Sequence, residues 1–117
     1  MLLKLLDLFY PNTCLFCADS LVQGEQFLCV MCCNDMPVIP YKSGDCPPVS
    51  NQLKGKVDFE NTYSLYYYNK FGKTGKLLKE IKYRGNRELG LHLGRLFGEQ
   101  LKSNECIQNI DTIVPVP

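Results

Sequence analysis

Histidine is almost absent from this chain: His92 is the only one in 117 residues. It falls in the middle of a predicted helix, beside a leucine stripe and without an acidic or nucleophilic neighbour in sequence. We read it as a helix-surface residue and not as a catalytic base. No Ser/His/Asp arrangement, Walker loop or G-x-G-x-x-G turn occurs, so the motifs for triad hydrolysis and for those two kinds of nucleotide binding are missing. Long apolar runs are missing as well. Residues 1–10 are interrupted by Lys4 and Asp7, and Pro11-Asn12 follows without a small-residue cleavage site. That stretch is far too short to cross a bilayer, so no membrane span is expected. It reads as a short amphipathic helix that docks Leu2, Leu5, Leu6 and Phe9 onto the protein. Internal repeats and low-complexity tracts are absent. Apolar residues make up 45% of the chain, too many for a disordered tail.

What is present in excess is cysteine. There are seven, and four of them form two pairs with identical spacing: Cys14 with Cys17, and Cys29 with Cys32, with eleven residues between the pairs. A Cys-x2-Cys pair wraps a metal with two thiolates from one tight knuckle, and the intervening segment, with Gly24 at its turn, brings the two knuckles together. Four thiolates fill a tetrahedron and leave no position for a catalytic water, so the expected ion is one structural Zn2+. Its binding energy would fold a segment with few large apolar residues of its own. With no secretory leader recognised, reduced thiols favour metal over disulfide and the setting reads as cytoplasmic. Cys33 is a bystander beside a ligand. Cys46 and Cys106 are lone thiols, and Val49 stands where a partner for Cys46 would be.

Charge is distributed unevenly under a net of +1. Residues 1–59 carry four Lys against six Asp or Glu, a net of −2. Residues 70–95 carry eight Lys or Arg against Glu80 and Glu88, a net of +6. A segment that basic can meet phosphate on a nucleotide or a nucleic acid, or can simply be a solvated helix face. Within it, Lys82-Tyr83-Arg84-Gly85 allows two readings. A basic, glycine-containing turn can approach a phosphate while Tyr83 stacks on a base, which makes Lys79, Lys82, Tyr83 and Arg84 candidate contacts. Alternatively Tyr83 packs as core and Gly85 caps a helix.

The periodicities predict helices over 73–83, with Leu77, Leu78 and Ile81 at core spacing, and over about 87–101, with Leu89, Leu93, Leu96, Phe97 and Leu101 as its stripe. Gly90, Gly94 and Gly98 recur every four residues in the second helix and predict close backbone packing against another element. Thr62 to Tyr68 is aromatic and β-rich, and Asp111 to Val116 is a short apolar run; both read as strands. Residues 37–58 hold four prolines and two glycines and read as a linker. Strand, helices, strand is the grammar of an α/β unit with a parallel sheet. Two strands do not complete such a sheet, so the sequence reads as part of a longer protein.

Together these residues resemble the ComF family of competence-associated proteins. The resemblance runs from Leu8-Phe9-Tyr10-Pro11 through the cysteine pairs and Phe27-Leu28 to Leu78-Lys79-Glu80-Ile81-Lys82-Tyr83-Arg84-Gly85. It continues with Leu89-Gly90 and Leu93-Gly94-Arg95-Leu96 and closes on the valine-proline repeat at Val114 to Pro117. It implies an α/β architecture: an N-terminal helix and zinc ribbon over 1–36, a linker over 37–58, and over 59–117 the first β-α-α-β part, incomplete, of a type I phosphoribosyltransferase-like domain. It implies a role in DNA uptake and natural transformation, with single-stranded DNA and the DNA-uptake helicase machinery as partners. It also implies a phosphoribosyl pyrophosphate site, expected only of the full-length protein, because the family's Asp-Asp-x-x-Thr-Thr-Gly loop is not in this sequence. Some members carry a second ribbon; Cys46-Pro-Pro-Val49 here implies a single zinc. Two other readings remain beside this one: a phosphoribosyltransferase of nucleotide metabolism, and a non-catalytic zinc-ribbon scaffold that binds another protein.

Overall fold

A computed structural model describes residues 2–9, 11–41, 48–103 and 107–117, with the side chains of Leu3, Lys4 and Asp7 left aside. Cys46 and Cys106, and the middle of the predicted linker, lie outside the described residues. Five helices follow in chain order: α1 (Leu2–Phe9), α2 (Val30–Asn34), α3 (Pro48–Leu53), α4 (Lys73–Tyr83) and α5 (Arg87–Ser103). They belong to two compact units, each assembled from two chain segments: Met1–Pro37 with Tyr68–Gly85, and Val38–Tyr67 with Asn86–Pro117.

The first unit holds α1, the cysteine pairs, α2 and α4. Its buried apolar side chains are Cys14, Leu28, Met36 and Leu77. α4 forms where periodicity predicts it. Gly72 at its N-cap offers no side-chain acceptor, and Asn69 organises the entry instead. The Asn69 carbonyl accepts the amides of Gly72 and Gly75, each at 3.1 Å, while its own amide donates to Thr74 Oγ1 at 2.8 Å. The chain folds so tightly here that a Cβ on Gly75 would lie 2.3 Å from the Lys70 carbonyl oxygen. Gly85, at φ 65°, follows the C-cap Arg84 in the left-handed conformation that ends a helix. α1 departs from expectation: Leu2, Leu5, Leu6 and Phe9 are 55–79% exposed, so they do not dock onto the protein as predicted. Amphipathic spacing specifies a face but not what covers it.

In the second unit, Val38 and Tyr66 form an antiparallel bridge, and Ile39 N–H donates to Leu65 O at 3.1 Å. Gln100 Nε2 of α5 donates to Ile39 O at 3.0 Å, and Ile39 and Leu89 are the fully buried side chains. Ser50 of α3 shares a 2.7 Å hydrogen bond with Thr62. α3 falls in the stretch predicted to be linker. Pro48 at its first position is a favourable helix start that the surrounding prolines obscure.

The α/β prediction does not hold. Among the described residues there is no sheet, only isolated bridges at Thr13–Ser20, Gln26–Leu28 and Val38–Tyr66. Among the described residues the one bridge made by Thr62 to Tyr68 is to Val38, and Pro40 has no N–H to continue a ladder. Tyr41 takes the ladder's place, its hydroxyl hydrogen-bonded to both the amide and the carbonyl of Ser64 and its ring edge-on to Tyr63 at 5.3 Å. Asp111 to Val116 is exposed and carries no strand pairing. Its β-rich composition is a preference for a pleated, half-buried surface, and no such surface is formed for it here. The β-α-α-β expectation is therefore replaced by helices joined through irregular chain. The glycine face of α5 is also corrected: Gly94 and Gly98 are exposed, and a Cβ on either would meet nothing within 4 Å.

Candidate metal centre

The two cysteine pairs are presented by different local structures. Cys14 and Cys17 sit on a turn closed by Ala18 N–H donating to Cys14 O at 3.0 Å and Cys14 N–H donating to Asp19 O at 2.8 Å. Ala18 takes φ 63° to complete it. The second pair sits on the first turn of a helix. Cys29 is the N-cap of α2, and its Sγ accepts from the Cys32 amide at 3.4 Å. Between the pairs, Gly24 at φ 95° allows the reversal, and Leu15 N–H donates to Phe27 O at 2.9 Å.

Glu25 fixes the relation of this reversal to the second pair. One carboxylate oxygen accepts from Val22 N–H at 2.9 Å and the other from Val30 N–H at 2.8 Å. These two donations hold its carboxyl below the usual range. Val30 is the first residue of α2, so the same clamp places an acid at that helix start.

The result is convergence. The Sγ atoms of Cys14, Cys17, Cys29 and Cys32 all lie within 4.8 Å of one another, with Cys17 and Cys29 at 3.7 Å. A tetrahedron with metal–sulfur bonds of about 2.3 Å places its sulfurs roughly 3.8 Å apart. Both the donor set and the spacing therefore fit a metal ion held by four thiolates. Burial by itself would raise the Cys14 thiol, but the backbone groups of Cys17, Cys29 and Phe16 bring it down to about 6. Cys17 goes the other way. The Asp19 backbone pulls it down, but the Asp19 carboxyl, burial and the sulfurs of Cys14 and Cys29 together push it up to about 12. Burial and the neighbouring Cys29 and Cys14 sulfurs also raise Cys32. Negative charge that four converging thiols cannot carry alone is what a cation relieves.

Cys33 is exposed and outside the cluster. His92 lies in α5. Lys79, Lys82, Tyr83 and Arg84 share the last turns of α4 and are all exposed. Tyr83 is 83% exposed, so the alternative that it packs as core does not apply. Arg84 is engaged by Glu80 at 3.1 Å. Residues that sequence reasoning overlooked tie α4 to the cysteines: Asp35, at the C-cap of α2, pairs with Lys73, and the amines of Lys73 and Lys76 lie 5.5 and 5.7 Å from the Phe16 ring. The Asp35 contact raises the Lys73 ammonium, and the thiols of Cys32 and Cys14 add to the shift. The unbalanced positive charge of 70–95 was the only sequence signal for these contacts.

Comparison with known proteins finds no matching family model, no matching curated protein and no matching solved structure. Among the described residues no helix is long and apolar enough to cross a membrane.

Proposed function

We propose that the four cysteines hold one structural Zn2+, and that the unit they stabilise presents α4 as a surface for single-stranded DNA. This is the role in DNA uptake that the resemblance to the ComF family implies, with a helicase of the uptake machinery as partner and the cytoplasm as the setting. The observation that carries the reading is the shared unit. A cluster of four cysteine sulfurs and a helix with Lys76, Lys79, Lys82 and Tyr83 exposed belong to one compact body. Zinc is the ion that suits four thiolates in a closed tetrahedral site. It would supply folding energy there and no chemistry. The lysines suit a phosphate backbone, and an exposed tyrosine at the helix end suits base stacking.

Anisotropy titration of a labelled oligonucleotide on the zinc-loaded chain tests this. Lys79→Ala with Lys82→Ala should weaken binding and reduce the salt slope by about 0.7 per lysine. Tyr83→Ala should weaken binding by roughly 1–3 kcal/mol per stacked base with the slope unchanged. Unaltered affinity in both variants would remove α4 from the reading.

A further inference from the structure

The basic helix and the cysteine cluster meet in a specific way. Phe16 stands between Cys14 and Cys17 inside the first knuckle, and its ring faces the ammonium groups of Lys73 and Lys76 at 5.5 and 5.7 Å. Cation–π contacts of this length are attractive. Lys73 also pairs with Asp35, which caps the helix that carries Cys32. One ammonium of α4 thus reaches both halves of the cluster, the knuckle turn and the ligand-bearing helix. The charges are complementary as well. A divalent ion with four thiolates has a net charge of −2, and the first turn of α4 brings two cations to its side. Toward its other end the same helix exposes Lys79, Lys82 and Tyr83.

We propose that Lys73 and Lys76, seated over Phe16, couple metal occupancy of the four-cysteine site to the placement of α4, so that the nucleic-acid face is assembled only on the metal-loaded chain. The consequence for nucleic acid rests on the reading of α4 given above; the coupling itself does not. With metal bound, the knuckle is rigid and anionic and gives α4 a fixed seat. Without metal, the turn that carries Phe16 keeps only its backbone hydrogen bonds and loses the tie through four sulfurs to the second pair, and the seat loosens. Linkage makes the effect reciprocal: whatever metal contributes to seating α4, seating α4 contributes to metal affinity.

The test is amide hydrogen exchange of Leu77 to Lys82 in the full chain, zinc-loaded and chelator-treated, for the wild type, Phe16→Leu and the Lys73→Gln/Lys76→Gln double variant. Zinc content and affinity are measured in parallel by competition with a chromophoric chelator. In the wild type, zinc should slow α4 exchange at least about tenfold. The loaded variants should still bind one zinc per chain, about tenfold more weakly, the usual effect of losing an outer-shell partner. Their α4 protection should fall below about a third of the wild-type value. Wild-type protection in both loaded variants overturns the coupling. Should either variant fail to bind zinc, Lys76→Gln alone decides, since that side chain is exposed: a loss of protection supports the coupling, and none overturns it. Oligonucleotide affinity with and without zinc separates the two readings. If α4 protection follows zinc but DNA affinity does not, the coupling stands and the nucleic-acid assignment falls. If DNA affinity follows zinc while the double variant keeps wild-type α4 protection, the coupling falls and the assignment stands.

Discussion

Replacing Gly94 and Gly98 with alanine should stabilise the protein, contrary to what their spacing in the sequence suggests. Both lie in the interior of α5, and a Cβ on either meets nothing within 4 Å. With no steric term to set against it, the change is governed by helix propensity, and glycine is about 1 kcal/mol less favourable than alanine in a helix interior. The double variant should therefore gain about 2 kcal/mol, the sum of two propensity differences. With a urea slope of roughly 1–3 kcal/mol per molar, the midpoint of the transition that reports α5 should rise by about 1 M. Circular dichroism at 222 nm on the zinc-loaded chain measures it. Gly75→Ala is the control of opposite sign. There the new Cβ would sit 2.3 Å from the Lys70 carbonyl oxygen and 2.7 Å from that of Asn69. Backbone must move, and a cost of about 1–3 kcal/mol follows. If the Gly94/Gly98 double variant is instead destabilised, the glycine face of α5 is packed against another element in solution, and the open environment described here is wrong.

Three further expectations follow from individual contacts. Zinc binding at pH 7.5 should release protons, because Cys17 is pushed up to about 12 and Cys32 is also raised, so both carry protons in the metal-free cluster. Apparent affinity should therefore rise with pH through this range. Calorimetry in buffers of different ionisation enthalpy counts the protons, and a count of zero would contradict the arrangement. Glu25→Ala removes the acceptor for Val22 and Val30 N–H. It should weaken zinc binding by about tenfold in chelator competition while leaving one site per chain. Asn86→Ala removes the acceptor for the Leu89 amide, 3.1 Å from Asn86 Oδ1. It should cost about 1 kcal/mol in a urea melt, as the loss of a helix cap does.

Local features were legible in the sequence and non-local ones were not. The cysteine spacing alone indicated a four-thiolate site, because a Cys-x2-Cys pair constrains its own backbone whatever surrounds it. The leucine periods located α4 and α5 for the same reason, since a helix closes its hydrogen bonds within the segment. The strands failed as predictions because a strand is completed only by a partner. The partner found by Thr62 to Tyr68 contains Pro40, and Tyr41 answers the Ser64 backbone in place of a ladder. Neither fact is visible in the run of tyrosines itself. The glycine repeat misled in the same way: a stripe of small residues permits close approach but does not supply the approaching element.

What the sequence by itself determined is therefore chemistry and short-range form: four thiolates in two knuckles, two amphipathic helices, and a basic segment following an acidic one. Only the tertiary structure decided which residues support that chemistry. It set Asp35 against Lys73 across 38 residues of chain. It also placed Phe16 beneath two ammonium groups and turned Tyr83 outward. Contacts between residues so far apart carry no periodic or compositional signature. They exist because the chain returns to the cysteine unit after residue 68, and that return is settled by the packing of the whole unit, not by any one segment.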